Sequence, residues 1–172
     1  MSHSGHNADN MLVAIGSDDA FTLGVLSSRI HAVWALRAGG WLGMGNDPRY
    51  SKTRCFDPFP FPPATEAQKG AIRALAEKLD AHRKDVLGQH PHLTLTGLYN
   101  VLEKLRAGTT PGALDAADRL IFDDGLVLIL KEHHDALDEA VAEAYGWPVA
   151  MAEEELLALS LIHISEPTRP RL

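Results

Sequence analysis

The spacing of apolar positions changes along the chain and separates a mixed N-terminal part from a helical C-terminal part. Leu12 to Ile15 is a short apolar run before a glycine, which predicts a buried strand. Between Phe21 and Trp34 the apolar residues recur at helical spacing, so we expect one helix, capped by Ser17 or Asp18 and ended by Gly39-Gly40. The N-terminal part is therefore predicted to be a small α/β unit.

Turn-forming residues dominate the stretch that joins the two parts. The sequence WLGMGNDP at positions 41–48 predicts a loop, and Arg54 to Phe56 predicts a short strand. Phe56 to Pro63 contains four prolines, which exclude regular structure and favour an extended, polyproline-like crossing. We expect the phenylalanine side chains of this crossing to pack against the core and so attach the crossing to it.

Beyond the crossing, the pattern is helical. Thr65 with Gln68 forms a capping box, which predicts the start of a helix with an apolar face behind it. We expect a second helix from about Thr96 to Arg106, with Gly108 as its stop, and a third with Pro111 in its first turn.

The last long helix is marked by seam positions spaced 4, 3, 4 and 3 residues apart: Leu130, His134, Leu137, Val141 and Ala144. Gly146 and Pro148 follow and end it. Such a seam is typical of a helix packed inside a bundle. The predicted fold class is mainly α with a small α/β N-terminal part, followed by a helical bundle.

Length and composition limit the class of protein. A chain of 172 residues can bury one sizeable core but not two large ones. No apolar run reaches the roughly 20 residues of a bilayer span, and the polar start MSHSGHNADN does not resemble a signal peptide. We therefore predict a soluble, cytoplasmic protein with no membrane partner, and the lone Cys55 agrees with a reducing compartment.

The formal net charge of -7 is unevenly distributed. Residues 27–54 carry five cationic side chains against one acid, a local charge of +4. Residues 112–158 carry twelve acids against two cationic side chains, a local charge of -10. A basic surface at one end can meet phosphate while the acidic end faces water or a partner.

A histidine and aspartate cluster is the first candidate for chemistry, namely His133, His134, Asp135 and Asp138. His134 lies in the apolar seam, and neither an HExxH motif nor a cysteine partner accompanies it. A hydrogen-bonded core or rim histidine is therefore favoured over a zinc or iron ligand.

Other candidate groups also fail on context. His90 and His92 flank a proline in a connector and are expected to be solvated rather than ligating. The glycine-rich stretch 39–45 follows a helix instead of a strand, so it does not fit a phosphate-binding loop. Cys55 lacks a base and is expected to be a small buried residue. No catalytic residue is predicted.

The polar segment RYSKTR is the most informative one, and its six side chains are Arg49, Tyr50, Ser51, Lys52, Thr53 and Arg54. These residue types contact phosphates and base edges, and arginine can pair bidentately with guanine. From the residues alone, two interpretations stay open: a DNA-facing edge and an ordinary solvated loop.

Five blocks follow one another between about Ala14 and about Leu157: LGVLSSRIHAVWALRAGG, RYSKTRCFDPFPFP, LAEKLDAHRK, LTLTGLYNVLEKLR and HDALDEAVAEAYGWP. In this order they resemble the C-terminal region of class I S-adenosylmethionine-dependent DNA methyltransferases of the MmeI-like type. Those are large bacterial restriction-modification proteins in which one polypeptide joins methylation and target recognition.

The resemblance implies a domain division and a site. Residues 1–63 would be the C-terminal part of a DNA target recognition domain, and residues 64–158 a helical C-terminal domain. The DNA-binding residues would be Arg49 to Arg54, with Arg49, Lys52 and Arg54 foremost.

The resemblance also implies partners and a cofactor. The partners would be double-stranded DNA and a missing N-terminal methyltransferase domain, which would bind S-adenosylmethionine and methylate adenine at N6. The family's cofactor-binding and catalytic motifs lie upstream of this region, so no catalytic, cofactor or metal site is expected here.

The last residues are treated separately. Leu159 to Arg169, LSLIHISEPTR, resembles the translation of a transposon adapter used in sequencing libraries, so we predict that residues 159–172 are a non-native tail. A natural disordered tail is the alternative.

Two rival functions remain open at the level of sequence. The first is a stand-alone acidic helical module that binds a protein partner, with the basic segment merely solvated. The second is a small metal-dependent enzyme that uses the cluster from His133 to Asp138.

Overall fold

The computed structural model describes residues 15–42, 47–149 and 151–165. Its helices are α1 (Ala20–Ser27), α2 (Arg29–Ala38), α3 (Glu66–Gln89), α4 (Leu95–Arg106), α5 (Ala116–Asp124), α6 (Val127–Tyr145) and α7 (Glu153–Ser165). Strands β1 (Gly40–Leu42) and β2 (Asp47–Arg49) pair antiparallel. The predicted fold class, mainly α with a small mixed N-terminal part, is confirmed. The predicted strand at Leu12 to Ile15 lies outside the described residues except for Ile15, which is in neither a helix nor a strand.

The first helical stretch is broken at Ser28, so the prediction of one long helix was wrong. The Ser28 hydroxyl donates to the carbonyl oxygen of Val25 at 2.7 Å and accepts from the backbone N–H of His31 at 3.4 Å. A serine side chain that bonds backbone groups in this way ends one helix and caps the next. The cap of α1 is Asp19, which accepts from the Phe21 N–H at 2.8 Å, and not Ser17 or Asp18.

The region after α2 also differs from the sequence-based expectation. The two strands occupy both ends of the predicted loop 41–48, while residues 43–46 lie outside the described part. Lys52–Phe56 is a single wide helical turn, and it includes Arg54 to Phe56, where we expected a short strand. In it the Ser51 carbonyl oxygen accepts from the N–H groups of Arg54 and Cys55 at 3.2 and 2.7 Å. These local bonds use the backbone donors that a strand would need.

The helices after the crossing begin and end at identifiable residues. The capping box of Thr65 and Gln68 is confirmed, and Gly108 follows α4 at a φ of 96°, a value that favours glycine. Pro111 does not start the third helix, because it lies in an isolated turn, Pro111–Ala113. Asp115 instead caps α5 by accepting from the Asp118 N–H at 2.9 Å.

The core lies between α3, α6 and the helices packed against them. Helix α3 packs against both α1 and α6, and α4 and α5 also pack against α6. All five predicted seam positions of α6 are buried. The crossing is fixed to this core by Phe59, which is 4% exposed, and by the Tyr145 hydroxyl, which donates to the Pro60 carbonyl oxygen at 2.6 Å.

Close packing, an ion pair and a helix cap help to join the N-terminal helices to the bundle. Gly24 of α1 lies so close to Ile72 of α3 that an added Cβ would stand 2.6 Å from its Cγ2 atom. The Arg73 guanidinium donates twice to the Asp19 carboxylate, at 2.7 and 2.9 Å, and lowers the pKa of that carboxyl to about 2. The start of α2 is held by Asp138, as shown below.

Helix α7 packs against α2 and continues to Ser165, into the stretch that resembles adapter sequence. The origin of residues 159–172 stays a prediction. Within the described residues, no helix combines the length and apolar character that a membrane crossing requires.

Candidate nucleic-acid interface

Helix α2 is the platform for the segment from Arg49 to Arg54. The Trp34 indole N–H donates to the Cys55 carbonyl oxygen at 2.9 Å, and the Cys55 thiol, fully buried as expected, lies 3.7 Å from the Ala35 carbonyl oxygen. At Gly39 an added Cβ would stand 2.6 Å from the carbonyl oxygen of Arg49 and 2.7 Å from that of Ala35. The backbone of the segment is therefore held tightly against the end of α2.

Replacing Trp34 by phenylalanine is expected to loosen this attachment. The buried Cys55 carbonyl would lose its indole donor, which costs about 1 to 3 kcal/mol of unfolding free energy. Urea unfolding measures the loss, and amide hydrogen exchange at residues 51–56 should accelerate more than exchange in α3. Equal acceleration in both segments would show that the indole does not position this turn.

Two arginines of the segment are free to meet a ligand. Arg49 and Arg54 are exposed, and among the described residues neither guanidinium has a hydrogen-bond or ion-pair partner. In the hairpin formed by β1 and β2, Arg49 pairs with Gly40. Nη1 of Arg54 lies 3.5 Å from the position that an added Cβ on Gly40 would occupy. Both arginines are therefore placed at the base of the hairpin.

Arg37 extends this basic surface from the last turn of α2, where its side chain is exposed. It too has no ion-pair or hydrogen-bond partner in the part of the chain that the structure describes. The other two cations of residues 27–54 are engaged: Arg29 donates to the Met151 carbonyl oxygen at 2.9 Å, and Lys52 pairs with Asp57. The local positive charge is thus concentrated near the hairpin base.

The remaining predicted site residues have partners inside the protein. The Tyr50 hydroxyl lies 3.0 Å from Nε2 of His31, and burial raises the pKa of this tyrosine. The Lys52 ammonium donates to both carboxylate oxygens of Asp57, at 2.7 and 2.9 Å, although it remains largely exposed. The hydroxyls of Ser51 and Thr53 lie 3.2 Å apart. The structure brings all six residues together but leaves the two arginines most available.

His31 is buried and contacts Tyr50 of the segment from Arg49 to Arg54, a role that the sequence did not reveal. Its side chain is 4% exposed and meets the Phe59 ring edge-to-face, with centroids 4.4 Å apart. Burial lowers its pKa from 6.5 to about 4, so at neutral pH the ring is uncharged. The signal available in the sequence was only its position on the apolar face of α2.

The cluster from His133 to Asp138 does not converge on a common point. Nε2 of His134 lies 2.7 Å from the Tyr99 hydroxyl, and burial lowers the pKa of this histidine to about 4. The Asp138 carboxylate accepts from the backbone N–H of Arg29 at 2.7 Å and caps α2 from another helix. The expectation of a hydrogen-bonded core histidine is therefore confirmed.

Residues 2–63, which include the hairpin and the turn that follows it, match the family model described as the MmeI target recognition domain. The chain is also 29% identical over 160 residues to DNA methyltransferase A of Bacillus subtilis (strain 168), a match that covers 92% of this chain and 15% of that protein.

A solved structure shares the fold of this chain. The fold resembles that of the Type IIL restriction-modification enzyme MmeI in complex with DNA, with a TM-score of 0.62 and 24% identity over 87% of this chain. The match covers 16% of that chain, so the present chain spans a small fraction of both relatives. The predicted relationship is confirmed: the chain contains an MmeI-like target recognition region.

Proposed function

We propose that this chain contributes to DNA target recognition in a larger restriction-modification methyltransferase, and that Arg49 and Arg54 contact the duplex. One observation carries the proposal. Two exposed arginines without an internal partner among the described residues are held at the base of a hairpin inside the matched domain. The solved MmeI structure contains DNA, which supports the choice of ligand.

The chemistry of arginine suits this role. A guanidinium that is not paired with an acid keeps all its N–H donors for phosphate oxygens or for the O6 and N7 atoms of guanine. The backbone beneath both residues is fixed by the buried Cys55 and by the close approach at Gly39. A pre-organised surface loses less conformational freedom on binding than a mobile loop does.

The rest of the reaction belongs, in this proposal, to the longer polypeptide. Its N-terminal methyltransferase domain binds S-adenosylmethionine and transfers a methyl group to the exocyclic N6 amine of an extruded adenine. The similarity to a DNA methyltransferase supports this part. Residues 1–63 complete the recognition domain, and residues 64–158 form the helical support.

Substituting alanine for Arg49 or Arg54 in that polypeptide is expected to weaken DNA binding. Loss of a base contact costs about 1 to 3 kcal/mol, or roughly a 5- to 150-fold rise in Kd, and relaxes the choice of base at one position. Filter binding on specific and random duplexes measures both effects. Lys84→Ala is the matched control, because Lys84 is an exposed cation of α3 that pairs with Asp80 at 2.6 Å.

The pattern of loss identifies the kind of contact. A phosphate contact would weaken binding to all duplexes alike and reduce the dependence of log Kd on log salt by about one unit. If neither arginine variant differs from Lys84→Ala, the assignment of this surface is wrong. Unchanged DNA binding together with stable binding of a protein partner would instead support the acidic interaction module.

A further inference from the structure

Two histidines and one aspartate converge at the junction of α3, α4 and α5, away from the hairpin. Nδ1 of His90 lies 3.6 Å from Oδ2 of Asp124, and Nε2 of His92 lies 3.1 Å from the same oxygen. All three donor atoms lie within 4.8 Å of one another. In the described part of the chain, this is the one group of three or more histidine, cysteine or acidic side chains with such spacing.

Backbone hydrogen bonds fix the turn that carries His90 and His92. His90 follows the last residue of α3 and donates its N–H to the Val86 carbonyl oxygen at 3.0 Å. Its own carbonyl oxygen accepts from the Leu93 N–H at 2.9 Å, which closes a tight turn around Pro91 and His92. Leu93 is buried, so this turn is anchored to the core. The expectation that both histidines are simply solvated does not describe this arrangement.

The position of Asp124 is also fixed by close packing. It is the last residue of α5, and the next residue, Gly125, packs so closely that an added Cβ would stand 2.2 Å from Cδ2 of Leu98. The Gly125 carbonyl oxygen lies 3.2 Å from Nε2 of His82 on α3. The end of α5 is therefore fixed against both α3 and α4.

The spacing matches the coordination geometry of zinc. Ligand atoms about 2.0 to 2.1 Å from a tetrahedral Zn²⁺ ion lie roughly 3.3 Å from one another. The two measured separations from the aspartate oxygen, 3.1 and 3.6 Å, bracket that value. Two imidazole nitrogens and one carboxylate oxygen make a three-ligand set that leaves a position for water, and the side chains are about one-third to two-fifths exposed.

We propose that His90, His92 and Asp124 bind a divalent transition-metal ion of the Zn²⁺ type. The two imidazole nitrogens and the carboxylate oxygen would coordinate the ion, which would tie the α3–α4 connector to the end of α5. The site lies on the helical bundle, away from the hairpin, so the metal proposal is independent of DNA recognition. The proposed metal site and the proposed function can therefore be tested independently of each other.

Zinc binding to the 172-residue chain tests the proposal. The background should carry His3→Ala and His6→Ala, because N-terminal histidines can bind metal ions themselves. Isothermal titration with Zn²⁺ at pH 7.5 is expected to show one equivalent bound and a rise in Tm. Titration with Co²⁺ should give visible ligand-field bands that Zn²⁺ abolishes.

Two conservative variants locate the site. His92→Gln and Asp124→Asn are expected to weaken Zn²⁺ binding by more than about tenfold and to remove the rise in Tm. His133→Gln is the matched control, because His133 belongs to a second histidine pair, with His82, whose ring centroids are 5.5 Å apart. Equal Zn²⁺ affinity in all three variants, or no binding in the His3/His6 background, would overturn the proposal.

Discussion

Lowering the pH from 7 to 5 is expected to reduce the free energy of unfolding by about 4 kcal/mol, with half of the loss from each of His31 and His134. Burial lowers the pKa of both side chains from 6.5 to about 4, and each is only 4% exposed. The unfolded chain therefore binds protons in a pH range where the folded chain does not.

The direction of the change in stability with pH depends on whether the folded or the unfolded chain takes up the protons. Between pH 6.5 and about 4 an unfolded histidine is charged, whereas the buried rings stay neutral. Each proton taken up favours unfolding, so stability falls as pH decreases through this window and is restored above it. The physical cause is the cost of moving a charged imidazolium out of water into the core.

Urea unfolding at several pH values measures this slope. His31→Gln and His134→Gln keep a polar group near Tyr50 and Tyr99 but cannot titrate, so each should remove about half of the pH dependence. His133→Gln changes a half-buried histidine next to His134 and should retain the slope. A wild-type unfolding midpoint that is constant between pH 7 and pH 5 would contradict the assignment of the two buried rings.

Replacing Gly24 by leucine is expected to destabilise the fold by about 3 kcal/mol, because the new side chain has no space between α1 and α3. Even the first added carbon would stand 2.6 Å from Cγ2 of Ile72 and 3.2 Å from Cβ of Ala76. Both neighbours belong to the body of α3 and are buried, so neither can move aside as a flexible side-chain end would.

Gly70→Leu is the matched control for this substitution. Gly70 also lies inside a helix, but no atom lies within 4 Å of an added Cβ, and the position is exposed. The same chemical change should stabilise the fold there by about 0.5 to 1 kcal/mol through helix propensity. Urea midpoints that shift alike in the two variants would show that α1 does not pack on α3 through Gly24.

Local signals in the sequence predicted many element boundaries. The capping box at Thr65, the stop at Gly108 and the seam of α6 each depend on residues within one or two helical turns. Such signals act through short-range hydrogen bonds and side-chain periodicity, which are fully present in the sequence. Residues 59–63 of the predicted crossing contain no helix or strand, in keeping with their three prolines, whereas Phe56 to Pro58 complete a helical turn instead of being extended.

The errors arose where two local preferences competed. Ser28 could continue a helix or cap a new one, and its buried hydroxyl does the latter. Pro111 and Asp115 could each start the third helix, and Asp115 did so. Between Arg54 and Phe56 a helical turn closed by the Ser51 carbonyl oxygen replaces the expected strand, and the Cys55 carbonyl oxygen accepts from the Trp34 indole.

For the candidate site too, some features follow from the sequence and others depend on tertiary packing. The sequence by itself determined the mainly helical class, the basic character of the segment from Arg49 to Arg54 and the resemblance to MmeI-like enzymes. Only the tertiary structure decided that Tyr50 and Lys52 have internal partners while Arg49 and Arg54 have none among the described residues. It also brought His90 and His92 to Asp124. Residue types and periodicity are properties of the chain, whereas the partner of a polar side chain depends on which distant element packs beside it.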